Sequence, residues 1–122
     1  MPCRGIRGAI TVPANTKEAI LATTNELLQQ MVQANGVETD DIACVLFTAT
    51  TDLDAEFPAV AARDMGWSQV ALLCAREMDV PGSLPHCLRV LMLFNTDKRA
   101  DEIVHVYLKE ARSLRTEMNS AC

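Results

Sequence analysis

Apolar residues along this chain recur with two periods, and the switch between them divides the chain into elements. From Ile6 to Val12 (IRGAITV) they alternate: Ile6, Ile10 and Val12 fall on one face, Arg7, Ala9 and Thr11 on the other, which predicts a strand. The period then lengthens. Ile20, Thr24, Leu27, Leu28 and Met31 recur at helical spacing. Asn15 is the expected cap, Glu18 stands three residues on in the reach-back position, and Gly36 supplies the stop. Ile42 to Ala49 (IACVLFTA) is apolar throughout, the pattern of a strand covered on both faces.

A polar loop, TTDLDAEFPA, ends at Phe57-Pro58, and a short helical stretch from Ala59 to Met65 runs into Gly66-Trp67. Gln69 to Cys74 (QVALLC) is a third predicted strand, and Pro81-Gly82 a turn. Leu88 to Phe94 and Val104 to Leu108 complete five strands. Strands with one long helix imply an α+β fold with a small mixed β-sheet. At 122 residues the chain is read as a single domain over residues 1–122, small enough to gain from oligomerisation. The polar tail, residues 112–122, is expected to be flexible and to order on contact with another surface.

One strand breaks its own pattern. In LRVLMLF, Leu88 to Phe94, Val90, Met92 and Phe94 share one face, while Arg89 shares the other with Leu91 and Leu93. A buried cation without a partner costs several kcal/mol, so an anion should meet Arg89, either a carboxylate of this chain or a bound ligand. The net charge of −5 argues against a nucleic-acid or acidic-membrane binder, which needs a basic face. Yet eight of the eleven basic residues are arginine, whose planar fork grips carboxylates in paired hydrogen bonds, and that bias suggests a small anionic ligand. The five cysteines are odd in number and lack a CxxC pair, which fits a reducing compartment and neither a disulfide framework nor a zinc site. No apolar block follows Arg4 and Arg7, and no run approaches the roughly 20 apolar residues that span a membrane. A soluble, cytoplasmic protein is expected.

Four polar groups stand at strand ends or on apolar strand faces: Arg7, Glu77, Arg89 and Tyr107. Spacing leaves two arrangements open. Glu77 is the structural partner of Arg89, or two arginines and a tyrosine receive an anion while the carboxylate accepts from a hydroxyl. No serine lies in GxSxG; His86 and His105 have no triad spacing; Cys74 closes an apolar strand as inert core thiols do; no glycine-rich phosphate loop or metal-ligand spacing is present. Chemistry at such a site needs no nucleophile, metal or cofactor.

IRGAITV, TATTDLDAEFPAVAAR, GW, LLCAREMDVPGSLPHCLRVL and HVYLKEA with LR, in that order from Arg4 to Arg115, resemble the AroH-class (Bacillus-type) chorismate mutases. The resemblance implies a homotrimer with a pseudo-barrel core and active sites at the subunit interfaces. It also implies the Claisen rearrangement of chorismate to prephenate, a unimolecular step on the branch toward phenylalanine and tyrosine. Carried over residue by residue, Arg89 meets the ether oxygen and Glu77 the ring hydroxyl. Arg7 and Tyr107 hold a carboxylate, and Cys74 lies near the ring-hydroxyl end. Phe57, Leu73 and Leu114 form walls, while Arg63 and Arg115 flank the site. Val60 stands where some members carry lysine, the segment from Arg63 to Trp67 is one residue shorter than in the best-known member, and Thr116-Glu117 replaces a Pro-Asp continuation. The readings weighed against it are a Rid-like trimeric imine deaminase and a non-catalytic carboxylate-binding trimer.

Overall fold

A computed structural model describes residues 1–117. Its elements are β1 (Cys3–Thr11), α1 (Lys17–Asn35), β2 (Ile42–Ala49), α2 (Ala59–Asp64), β3 (Ala71–Arg76), β4 (Cys87–Asn95), β5 (Val106–Leu108) and α3 (Ser113–Glu117). The strands form one mixed sheet in the order β3-β2-β4-β1-β5. β4 runs antiparallel to both β1 and β2, whereas β2–β3 and β1–β5 are parallel pairs. The expected α+β class, with one long helix on a small mixed sheet, is what is found.

Helix α1 lies across one face of that sheet. The residues whose spacing marked the helix, Ile20, Thr24, Leu27, Leu28 and Met31, are all buried, together with Thr23 and Asn35. They pack with Ile6, Ile10, Val45, Phe47, Val90, Met92 and Phe94 from the strands beneath. Each such side chain contributes roughly 1.5–3 kcal/mol on leaving water. Gly8 lets the helix sit close: a Cβ there would overlap Met31 Sδ and come within 3.2 Å of Leu27 Cδ1. Gly36 ends the helix at φ 61, in the left-handed region that glycine adopts at least cost.

Four expectations need correction. The helix cap is Thr16, whose Oγ1 accepts from the Ala19 amide at 3.1 Å. Asn15 is drawn outward instead: its Oδ1 accepts from the Asp54 and Ala55 amides and its Nδ2 donates to Asp54, tying the helix start to the β2–α2 loop. The third strand begins at Ala71, later than Gln69, and runs on to Arg76 in register with β2. β2 is not covered on both faces by its own chain. Val45 and Phe47 are buried under the helices, while Cys44, Leu46 and Thr48 on the other face remain partly exposed.

The fifth strand is three residues long, not five, and side chains explain why. The Val104 amide donates to Asn35 Oδ1 at 2.8 Å, and the Val104 carbonyl accepts from Asn35 Nδ2 at 2.9 Å. The Arg7 amide donates to His105 Nδ1 at 2.9 Å. Two side chains therefore do at the start of this segment what ladder bonds would otherwise do, and the regular pairing begins only at Gly8–Val106.

Gly8→Ala should destabilise the fold by about 1–3 kcal/mol, because the added methyl must displace Met31 and Leu27 in a filled core. Gly5→Ala meets only Leu93 and Leu91 side-chain carbons at 3.3 and 3.4 Å on the opposite, open face, and should cost less. Urea midpoints of the two variants against the parent check the difference.

Candidate active site

On the face of the sheet turned away from α1, the strand register sets the side chains in rows. In one row Thr48 of β2 is paired with Arg89 of β4, Arg89 with Ala9 of β1, and Ala9 with Tyr107 of β5. In the next row Leu46 pairs with Leu91, and Leu91 with Arg7. Because paired residues on neighbouring strands share a face, these two rows line one hollow. Its volume is about 230 Å³, and it is bounded by Arg7, Ala9, Leu46, Thr48, Glu77, Arg89, Leu91, Tyr107 and Leu114, among others. Ala9, between Arg89 and Tyr107, leaves the room: a larger side chain there would fill the space between them.

Glu77 enters from the end of β3. Its amide donates to the Ala49 carbonyl at 3.0 Å, which carries the β2–β3 pairing one bond past the strand and returns the side chain to the open face. Arg89 Nε lies 3.0 Å from Glu77 Oε1, with both side chains mostly buried. Thr48 Oγ1 donates to Glu77 Oε1 at 3.2 Å, and the Met78 amide donates to Oε2 at 3.2 Å. The carboxylate is thus positioned by three neighbours. Two arginines and one glutamate leave the hollow one positive charge in excess, set between leucine walls where charge is poorly screened.

Beside Arg89 stands Cys87, which is buried, so burial pushes its thiol pKa up despite the guanidinium nearby. It remains a protonated thiol. Neither Cys87 nor Thr48 was singled out in the sequence, although Cys87 lies at even spacing from a residue that was, two before Arg89; nothing near Thr48 in the chain marked it. Period-two alternation was the available signal for Cys87.

The other expected residues are not part of this hollow. Cys74 is partly buried against the core on the opposite face of β3, paired with Phe47. Leu73 is 64 % exposed on the open face, and Phe57 is 68 % exposed in the loop before α2. Arg63 on α2 and Arg115 on α3 are exposed. Among the described residues, no group of three His, Cys, Asp or Glu side chains is arranged to hold a metal ion, and no helix is long and apolar enough to cross a membrane.

A model of the family described as chorismate mutase type I matches residues 3–118. The chain belongs to the type I chorismate mutases. It is 55 % identical over 119 residues to chorismate mutase AroH of Thermus thermophilus, covering 97 % of this chain and 98 % of that one. Against chorismate mutase AroH of Bacillus subtilis the identity is 44 % over 120 residues, covering 98 % and 94 %. A solved chorismate mutase from Clostridium thermocellum superimposes with a TM-score of 0.89 at 55 % identity, over 90 % of this chain and 98 % of the other. The enzyme is therefore an isomerase acting on chorismate, and the imine-deaminase reading falls away.

A bracket of hydrogen bonds closes one end of the sheet beside this hollow. The Thr50 amide donates to the Cys87 carbonyl at 3.1 Å, and the Cys87 amide donates back to Thr50 Oγ1 at 3.0 Å. The Asp52 carboxylate accepts from Thr50 Oγ1 and from the His86 amide, 3.0 Å from Oδ2. The Val12 amide donates to the His86 carbonyl at 2.8 Å, and His86 itself is held at φ 50. This fixes where β4 begins, at Cys87, two residues before Arg89. Burial acts to raise the Asp52 pKa, but the bonds from Thr50 and the His86 amide outweigh it, and the net shift is below the ordinary 3.8.

A carboxyl with a lowered folded pKa contributes stability above its unfolded value and loses it as pH falls through the folded one. Asp52→Asn should accordingly be less stable than the parent at about pH 7 and should lose less stability on going to about pH 3. Urea midpoints at the two pH values provide the check.

Proposed function

We propose that the enzyme converts chorismate to prephenate by gripping the compact, chair-like dianion in the hollow between Arg7, Arg89, Tyr107 and Glu77. In this rearrangement the ether C–O bond breaks as a C–C bond forms within one molecule, with no proton transfer and no covalent intermediate. The protein then has two tasks: to select the reactive conformer and to stabilise charge as it develops. Arg89 donates to the ether oxygen, which gains negative charge as the bond breaks. Glu77, already held by Thr48 and the Met78 amide, accepts from the ring hydroxyl. Arg7 and Tyr107 hold a carboxylate at the β1–β5 edge. The observation that carries the reading is the row Thr48–Arg89–Ala9–Tyr107, which sets a guanidinium next to a small residue in an otherwise apolar hollow.

The working unit in this reading is a homotrimer with its active sites at the subunit interfaces. What supports it is the open face of the sheet, where Leu91 is 38 % and Leu73 64 % exposed, and the exposed Phe57, Met78 and Val80 around it. Unpartnered apolar residues of this number are costly in water. Leu73, Phe57 and Arg63 would then complete a neighbour's hollow, while Leu114 and Arg115 flank the chain's own. Cys74 supports the ring-hydroxyl end from within the strand. No metal or cofactor takes part, and the cytoplasm is the expected setting for an enzyme of aromatic amino acid biosynthesis.

Light scattering of the purified protein should give the mass of three chains; a stable, active monomer would overturn the interface reading. Activity should resist chelators, and Cys74→Ala should lose only part of it, as measured by chorismate absorbance with prephenate identified as product.

Arg89 carries the sharpest test. Lysine preserves the charge but not the planar fork, and citrulline preserves the planar shape but neither the charge nor all of the donors. Losing a preorganised donor to developing charge costs on the order of 3–4 kcal/mol, or roughly a hundred- to a thousand-fold. Both replacements should lower kcat by about that factor, with a smaller change in KM, since the interaction strengthens in the transition state. Near-normal kcat with either, in a protein that still binds chorismate, would make Arg89 structural.

A further inference from the structure

The β1–β5 edge carries both residues that hold the substrate carboxylate in the reading above, and its regular pairing is only three residues long, Gly8–Val106, Ala9–Tyr107 and Ile10–Leu108. Immediately before it, the Arg7 amide donates to His105 Nδ1 at 2.9 Å. An imidazole nitrogen accepts only when it carries no proton, so the ring is neutral with its hydrogen on Nε2. Protonation would set N–H against N–H and remove the bond.

We propose that His105 is a positioning residue for substrate binding: by accepting the Arg7 amide it holds Arg7 and Tyr107 in register across the β1–β5 edge, and it releases them when its ring takes up a proton. The proposal rests on the reading that these two residues hold a substrate carboxylate. Burial first, and then the Arg7 charge, hold the His105 pKa below its ordinary 6.5. No carboxylate among the described residues opposes them. Glu102, on the segment leading to β5, is turned to the Arg99 amide at 2.8 Å; Asn35, reaching in from α1, is neutral and already bonded to Val104. Tyr107 is the other titratable neighbour on the strand.

The sign follows from linkage. Above the ordinary value the ring is neutral in folded and unfolded chains alike, and the bond from the Arg7 amide is intact. As pH falls below it, the proton is taken up more readily wherever that bond is open, so acid favours the opened edge. The effect should fall on KM, because Arg89 and Glu77 are held by each other, by Thr48 and by the Met78 amide, none of which His105 touches. Asparagine at this position sets Oδ1 where Nδ1 was and does not titrate, whereas leucine offers no acceptor.

The test measures kcat and KM from about pH 8 to about pH 5 for the parent, His105→Asn, His105→Leu and Arg7→Ala, and follows the Arg7 amide by nitrogen-edited NMR in the first two. The parent KM should rise toward acid as the Arg7 amide signal titrates. In His105→Asn both should become flat, with KM at neutral pH within about threefold of the parent, and in His105→Leu KM should be raised roughly five- to tenfold at every pH with kcat within about twofold. Should the leucine variant not fold, the asparagine variant decides alone. A parent Arg7 signal that does not titrate, or an acid rise in KM that survives in His105→Asn, overturns the proposal. An Arg7→Ala variant with unchanged KM overturns the placing of Arg7 on the substrate, and the proposal with it. A raised KM in Arg7→Ala with none in the His105 variants overturns the proposal alone.

Discussion

A guanidinium on the central strand of a sheet must be met by negative charge, and much of this molecule is arranged around that requirement. Arg89 stands on β4, flanked by β2 on one side and β1 on the other, with Leu91 two residues along on the same face. Within the chain its neighbour is Glu77 at 3.0 Å, itself held by Thr48 and the Met78 amide. A buried ion pair of this kind is weak evidence for stability, since hydrophobic replacements of similar shape are often neutral or better. In the function proposed above it serves preorganisation: the donor would be fixed before substrate arrives, leaving little reorganisation to the moment of reaction. The bracket of Thr50, Asp52 and His86 at the start of β4 serves the same end by fixing the strand's register just ahead of the arginine.

The two faces of the sheet divide the labour. One is filled by α1 and its apolar stripe, close-packed down to the glycine at position 8. The other carries the charged row and a rim of exposed leucines. The first face holds the core, and the second is the one that meets substrate in the proposed function. The short β5 joins them, because Asn35 reaches from the buried helix to Val104 and His105 reaches from the same segment to Arg7.

Local pattern carried the reading of the sequence as far as local physics reaches. The apolar stripe of α1, its glycine stop, the bounds of β2 and the alternation in LRVLMLF all depend on neighbours a few residues away, and all were legible. So were Arg7, Glu77, Arg89 and Tyr107 as polar groups out of keeping with their surroundings, and the ordered motif blocks that marked the family. The misreadings share another cause. Asn15 and Thr16 are equally good caps by type, and only the distant Asp54 and Ala55 amides decide between them. VHVYL has the composition of a five-residue strand, and only the side chains of Asn35 and His105 shorten it.

Sequence alone thus determined the periods, and with them the elements, the buried faces of α1, β1 and β4 and the candidate polar groups, because side-chain direction along a strand or helix follows from backbone geometry. It also left two fates open for Arg89. Only the tertiary structure brought Thr48, Arg89, Ala9 and Tyr107 into one row from four strands, since register between strands distant in sequence is set by how the whole buried face packs. Only the tertiary structure left Leu73, Phe57 and Arg63 outside that hollow, at the surface of the chain. The physical reason is the same in both cases: pairing and exposure belong to the assembled sheet, and no stretch of the chain carries them by itself.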